Sequence, residues 1–304
     1  MPVSNAQTAF GNANRPGFLV RCPHQTPTSY LTAPNNPHYE QPPACGSIHS
    51  MDDTALLSLA ADFARRAGAV ILAVRARGFE TLIKADRSPV TEADHAAERL
   101  ITAGLRAATP DIPVVAEEEM EAGLIPDAHH TYWLVDPLDG TKEFAAGRDE
   151  FTVNIGLVRD GRAVLGAVGV PAFGELFGGN VLTGRAWKRT VAGEHTIRAR
   201  ATPPEGLHVL ASRAYATDPR LTEILHGRIV ANVTNMGSAL KIIRLAEGAA
   251  DLYPRFGRTM EWDTAAPQAI LEAAGGTLRT MDGAHFTYGK PGWSNPSFLC
   301  TGRG

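Results

Sequence analysis

No apolar run in this 304-residue chain approaches the roughly 20 residues that a membrane-spanning helix requires, so no transmembrane segment is expected. Cysteine is scarce. Cys22, Cys45 and Cys300 are scattered without metal-ligand spacing, which argues against a disulfide scaffold and fits a reducing cytoplasm. There is no block of lysine or arginine, and the net charge is −3, so a surface for a nucleic acid polymer is not expected. The first 50 residues lack the basic start and apolar centre of a signal peptide.

Those residues differ from the rest in another way. They hold eight prolines, few charges and no sustained hydrophobic period. Such a composition cannot bury enough apolar area to offset the entropy of ordering, so residues 1–50 are expected to be a disordered, dispensable extension. The whole chain, at 44% hydrophobic and 20% charged residues, has what a globular enzyme core needs. Its length suggests about two domains or one large one.

Chemistry concentrates in Asp136-Pro-Leu-Asp139-Gly-Thr141. The apolar run Tyr132–Val135 reads as a buried strand, from whose end Asp136 and Asp139 emerge three residues apart, with Pro137 stiffening the turn. Gly140-Thr141 then suits a helix start, whose free N–H groups would face an anion. Two hard oxygen ligands beside an anion hole suit Mg²⁺ and a phosphate together. Taken singly, Asp-Pro and Asp-Gly are ordinary turn pairs. Their company changes the reading. The run Ile112–Ala116 ends in Glu117, Glu118 and Glu119, and Glu261-Trp262-Asp263 opens an alanine-rich helix. Lys84 to Asp94 adds a further polar stretch. Acids gathered at strand ends and helix starts are costly unless cations neutralise them.

Helical spacing predicts a helix over 54–77 ending before Gly78, and a second over 91–108 with Thr91 near its N-cap. Asp94 alone would read as a capping-box acid of that second helix. Phe151–Val158 and Ala163–Val170 form a predicted hairpin across Arg159-Asp160-Gly161. Further on the pattern gives a strand at 207–212, helices near 218–226, 238–247 and 263–274, and strands near 277–281 and 297–302. Mixed hairpins and helices favour an α+β layered sandwich over a doubly wound sheet.

Taken together, these motifs resemble those of the lithium-sensitive, magnesium-dependent phosphomonoesterases of the inositol monophosphatase superfamily, over residues 54 to 302. Within it, the likeness is to bacterial 3′(2′),5′-bisphosphate nucleotidases. Carrying it are Ser88–Asp94, Trp133–Phe144, Phe151–Ile155, Gly237–Lys241, Tyr253–Gly257 and Trp262–Ala266. The resemblance implies an α/β/α/β/α sandwich in two lobes, 51–198 and 199–304, with the active site between them. It implies two or three Mg²⁺ held by Glu117, Asp136, the Leu138 carbonyl, Asp139 and Asp263. Thr141 and Asp94 would orient the attacking water, with Glu118 assisting, while Glu119 and Glu121 read as solvated loop charges. Gly140 and Thr141 N–H groups would hold a phosphate oxygen, and Ser238, Lys241 and Arg255, with Asp263, would face the substrate. Trp262 reads as packing behind a metal ligand. The implied reaction converts adenosine 3′,5′-bisphosphate to AMP and phosphate, and the implied setting is cytoplasmic, at most peripheral to the inner membrane, with a homodimer compatible. The alternatives are an inositol or histidinol phosphatase, or a catalytically silent phosphate-binding protein. Lys142-Glu143-Phe144 favours the nucleotidase, whereas Tyr215 departs from the usual histidine.

Overall fold

Asp52 starts the first helix, α1 (Asp53–Arg77), by accepting the Ala55 N–H at 2.8 Å, and Gly78, with φ 81°, ends it. These bounds follow the helical spacing. The computed structural model describes residues 51–84, 89–128, 130–213 and 218–303. Expectations about residues 1–50, Ser88 and Tyr215 therefore lie outside the described residues. A two-stranded arm follows, β1 (Thr81–Ile83) against β2 (Pro89–Thr91), and then α2 (Glu92–Ala108). Thr91 and Asp94 form a complete capping box at the start of α2.

The chain continues through β3 (Val114–Ala116), α3 (Glu117–Glu121), β4 (Thr131–Asp139) and α4 (Thr141–Ala145). A meander then runs β5 (Thr152–Arg159), β6 (Arg162–Val170), β7 (Glu175–Asn180), β8 (Arg185–Thr190) and β9 (Gly193–Thr196). The β5–β6 hairpin turns on Asp160 and Gly161, both with positive φ, as a two-residue loop demands. Together β3 to β9 make a seven-stranded sheet in sequential order. Next come β10 (Leu207–Ser212), α5 (Pro219–Leu225), β11 (Val230–Met236), α6 (Leu240–Ala246) and β12 (Leu252–Arg255). The chain closes with α7 (Glu261–Ala273), β13 (Thr277–Thr280) and β14 (Phe298–Thr301). Their five strands pair in the order β11-β10-β12-β14-β13.

The layers run α/β/α/β/α. Leu56, Ala60, Ala64, Ala67 and Ile71 of α1 and Ala97, Ile101 and Leu105 of α2 bury against one face of the large sheet. Helices α6 and α7 fill the space between the two sheets, and Leu221 of α5 covers the far face of the small one. Burial of this kind contributes about 1.5–3 kcal/mol for each large aliphatic side chain.

One row of residues fixes α7. Gly156, Gly166 and Gly179 are direct neighbours across β5, β6 and β7. A Cβ on Gly166 would stand 2.1 Å from the Ala266 carbonyl oxygen, and one on Gly179 2.6 Å from Ile270 Cα. The glycine row is thus a groove into which the helix backbone sinks, with Ala265, Ala266 and Ala269 completing the close approach. Although α7 comes from the C-terminal segment, it packs chiefly on the large sheet, so the acid at its start is anchored to the same sheet as β4.

One expectation needs correction. Sequence spacing gave no strand at 230–236, yet β11 pairs in parallel with β10. It is an edge strand exposed along most of its length, so it carries no burial alternation to reveal it. The β10-α5-β11-α6-β12 run is itself a doubly wound piece inside the α+β whole.

Candidate active site

Strand β4 runs on past Val135, so Asp136 lies within it and Asp139 is its last residue. A spacing of three on a regular strand would send them to opposite faces. However, Asp136 pairs with Asn154 and Asp139 with Thr152, two residues apart on β5, with a register shift between. This bulge places both carboxylates on one face. Asp136 Oδ1 accepts the Leu138 N–H at 3.0 Å and so helps hold the bulge. Gly140 follows with φ 97°, a left-handed residue that a Cβ could not fill, since one would stand 2.9 Å from the Glu150 carbonyl oxygen. Helix α4 starts at Thr141 as the motif predicts, but is only five residues long.

Thr141 Oγ1 lies 2.9 Å from Asp94 Oδ1 and 3.0 Å from the Leu138 carbonyl, two acceptors for its single proton. The other Asp94 oxygen accepts both the N–H and the hydroxyl of Thr91, each at 2.7 Å. Asp94 is thus both a capping-box acid and the partner of Thr141. One turn along α2, Glu98 accepts the N–H groups of Glu118 and Glu119 at 2.8 and 2.9 Å. That carboxylate caps α3 and holds Glu117 in place. The sequence reading missed it, though its place four residues after Asp94 on one helix face was the available signal. Burial pushes the Glu98 pKa up to about 7, against the pull of those two N–H groups.

Glu117 opens α3 and Asp263 stands in the first turn of α7, accepting the Met260 N–H at 2.9 Å. Burial, with Asp263 and Glu118 adding repulsion, pushes Glu117 up to about 8 despite Lys84. Burial and then Asp139 push Asp263 up to about 7. Asp136 is raised well above the usual range by burial, then by Glu117, Asp139 and Asp263. Asp139 is also raised by burial, though Lys241 and Arg255 oppose this. Among the described residues, no three acidic, histidine or cysteine side chains stand close enough together to enclose an ion in this arrangement. Instead Asp136 and Asp263 bond to each other, and Lys84 Nζ reaches Glu117 at 3.1 Å, Glu118 at 2.7 Å and Glu121 at 3.0 Å. Four mutually repelling carboxylates, Asp136 buried and Glu117, Asp139 and Asp263 half-buried, with a backbone carbonyl beside them, are a hard oxygen donor set, which Mg²⁺ fits. Lys84 was quoted in the sequence motif without a role. Glu119 and Glu121 lie on α3 and not in a loop; Glu119 pairs with Arg106, while Glu121 is exposed.

One cavity of about 870 Å³ is lined by Glu117, Asp136, Leu138, Asp139, Gly140, Thr141, Ser238, Lys241, Arg255 and Asp263. Asp94 and the buried Glu118 lie behind its wall. Trp262 is buried in the core and also lines the cavity. The substrate side differs in detail from the helix expected near 238–247. Helix α6 begins only at Leu240, and Ser238 sits in the preceding turn with φ 51°. Lys241 Nζ donates to the Ser238 carbonyl at 2.5 Å and to the Met236 carbonyl at 3.2 Å. Burial lowers its pKa to about 7. Arg255 ends β12 and donates to the carbonyls of Gly257 and Arg258 at 3.3 and 3.2 Å.

The profile of the inositol monophosphatase family matches residues 52–298. The chain belongs to the inositol monophosphatase family. Among the relatives, the 3′(2′),5′-bisphosphate nucleotidase CysQ of Salmonella typhimurium is 43% identical over 250 residues, which cover 81% of this chain and 99% of that protein. CysQ of Escherichia coli K12 is 41% identical, over 80% of this chain and 98% of its own. The crystal structure of CysQ from Bacteroides thetaiotaomicron matches with a TM-score of 0.68 at 34% identity, over 82% of this chain and 97% of that one.

Inositol monophosphatase family proteins are in general magnesium-dependent, and the acid pocket predicts how metal removal reads out. An acid whose folded pKa exceeds its unfolded value binds its proton more tightly when folded. Stability is then greatest below the unfolded value and falls as pH rises to the folded one. With Glu117 near 8 and Asp263 near 7, the chelator-treated protein is expected to lose melting temperature steadily between about pH 5 and pH 8. A tenfold difference in proton affinity between the folded and unfolded chain is worth about 1.4 kcal/mol, so the fall should reach several degrees. Mg²⁺ should restore more at pH 8 than at pH 6, because it competes with those protons. A flat profile without metal would contradict the charge crowding.

Proposed function

We propose that this protein is a Mg²⁺-dependent 3′(2′),5′-bisphosphate nucleotidase that hydrolyses adenosine 3′,5′-bisphosphate to AMP and phosphate. The observation that carries the reading is the 2.9 Å hydrogen bond from Thr141 to Asp94 beside a wall of four acids. Glu117, Asp136, Asp139, Asp263 and the Leu138 carbonyl would hold two or three Mg²⁺. The bound ions would supply Lewis-acid neutralisation of the phosphate oxygens and of the departing alkoxide.

The protein's own groups do the rest. Thr141 Oγ1 accepts a hydrogen bond from water and passes its own proton towards Asp94, which Thr91 holds in place. Glu118, hydrogen-bonded to Lys84, supports the water side of the pocket. The water oxygen bonds to phosphorus as the ester oxygen leaves, and that oxygen takes a proton from solvent to end as the ribose hydroxyl. Gly140 and Thr141 N–H groups, with no partner inside the short helix α4, hold a phosphate oxygen. Ser238, Lys241 and Arg255 face the second phosphate and the nucleoside. Lys241 and Arg255 each commit two donors to carbonyls, so both shape that wall and supply charge; Lys241 is buried and Arg255 half-buried, which makes Arg255 the stronger candidate for direct phosphate contact.

The test is a substrate panel. Adenosine 3′,5′-bisphosphate should be preferred over 5′-AMP and inositol 1-phosphate. Arg255→Ala should lower kcat/KM for the bisphosphate by roughly tenfold to a hundredfold, the equivalent of one charge-assisted contact, and spare a small generic ester. Better turnover of inositol 1-phosphate would replace this reading with an inositol phosphatase. A division into lobes at 51–198 and 199–304, a homodimer and a cytoplasmic location, at most peripheral to the inner membrane, accompany the proposal. Gel filtration and cell fractionation would test the last two. Among the described residues no helix is long and apolar enough to cross a membrane.

A further inference from the structure

The turn Gly237-Ser238-Ala239 is held in a conformation it would not keep alone. Ser238 has φ 51°, the left-handed region that a residue with a Cβ disfavours. Three contacts maintain it. Ala239 donates its N–H to Asp139 Oδ2, Lys241 Nζ holds the Ser238 carbonyl, and Gly237 donates its N–H to Glu150 Oε2 at 3.1 Å. The first two come from groups already placed in the active site. The third does not, and it is the most elaborately built.

Glu150 is gripped by Arg213, whose Nη2 reaches Oε1 at 2.6 Å while Nη1 pairs with Oε2. The same Nη1 lies 3.5 Å from Glu143 Oε1. Glu143 lies flat on Gly237, for a Cβ there would stand 2.5 Å from its Cγ and Cδ. Gly237 leaves the space that Glu143 fills, and a Cβ there would displace that side chain. The main chain of Glu150 works on the other side, its carbonyl pressing on Gly140, whose absent Cβ would also stand 3.2 Å from Ser238 Cβ. A single residue thus touches both the turn expected to hold the scissile phosphate and the turn expected to face the nucleoside. The Arg213 bond keeps the Glu150 carboxylate ionised below the usual range.

We propose that Glu150, clamped by Arg213 and flanked by Glu143, is a positioning residue that fixes Ser238 against Gly140 and sets the selectivity of the site for the nucleoside bisphosphate. This rests on the nucleotidase reading above. Without the Glu150 acceptor, the Gly237 N–H loses its partner and Ser238 can relax out of the left-handed region. The Ala239–Asp139 bond survives, so the acids and Thr141 keep their places. Loss should appear in substrate affinity and not in the hydrolytic step.

The experiment measures kcat and KM of the full-length enzyme with Mg²⁺ on adenosine 3′,5′-bisphosphate and on p-nitrophenyl phosphate, which has no nucleoside. Glu150→Ala is expected to raise KM for the bisphosphate about tenfold, with kcat and p-nitrophenyl phosphate turnover within about threefold of the parent. Glu150→Gln keeps an oxygen for the Gly237 N–H and should recover most of the affinity. Arg213→Lys, which cannot grip both Glu150 oxygens and reach Glu143, should shift KM the same way by less. It and Glu150→Gln decide the matter should Glu150→Ala fail to fold. A parallel loss on both substrates, or an unmoved KM in a parent that prefers the bisphosphate, overturns this inference and leaves the function standing. A parent with no preference for the bisphosphate overturns both.

Discussion

Asp136→Asn is expected to lower kcat by about a thousandfold or more while leaving a folded protein that, without metal, melts higher than the parent. Asp136 is 1% exposed and lies among Glu117, Asp139 and Asp263, each of which raises its pKa. An amide keeps the shape and can still accept the Leu138 N–H that holds the bulge. It removes one charge from a pocket where four carboxylates repel, which accounts for the gain in the metal-free state. The same charge is what a divalent ion would bind. Losing it forfeits several kcal/mol of charge stabilisation in the transition state, and each 1.4 kcal/mol is about tenfold in rate. Mg²⁺ at about a hundred times its dissociation constant should stabilise the parent by about 2.7 kcal/mol, and this increment should shrink sharply in the variant. Thermal melts with and without Mg²⁺, beside a phosphate-release assay at saturating Mg²⁺, measure both effects. Normal turnover would remove Asp136 from the metal set.

What the sequence made legible was whatever its local chemistry repeats. The α1 bounds could be read because Asp52 and Gly78 are strong start and stop signals. The β5–β6 hairpin could be read because Asp160-Gly161 suits only a tight turn. The acids stand out in the sequence because four motifs lie in family order, and Glu117, Asp136, Asp139 and Asp263 all line one cavity. Other features depend on tertiary context. A spacing of three residues between Asp136 and Asp139 does not say which face each takes, and only the ladder with β5 shows the bulge that aligns them. Strand β11 has no buried face to give a period. Ser238 and Lys241 looked like helix neighbours by spacing, but the left-handed Ser238 delays the helix to Leu240. Glu150 and Arg213, 63 residues apart, carry no joint signature at all.

Thr141→Val should separate binding from chemistry. Valine matches threonine in shape and in its stiff χ1, so α4 and the Gly140 turn should persist. The hydroxyl proton shared between Asp94 at 2.9 Å and the Leu138 carbonyl at 3.0 Å disappears. Asp94 keeps its two bonds from Thr91, so it stays in place with one oxygen unpartnered. A buried acceptor left unmatched costs about 1–3 kcal/mol of stability, a modest drop in melting temperature. In catalysis the loss is larger, because water is no longer oriented and its proton has no path to Asp94. Positioned proton transfer of this kind contributes about a hundredfold to ten-thousandfold, and kcat should fall within that range. The Mg²⁺ dependence and the substrate KM should change little, since no charged ligand is lost. Asp94→Asn should fall to a similar level, and the double variant should be hardly slower than either single one, as groups acting as one unit are not additive. Losses that multiply in the double variant would mean that Thr141 and Asp94 act separately, and the 2.9 Å bond between them would then be structural only.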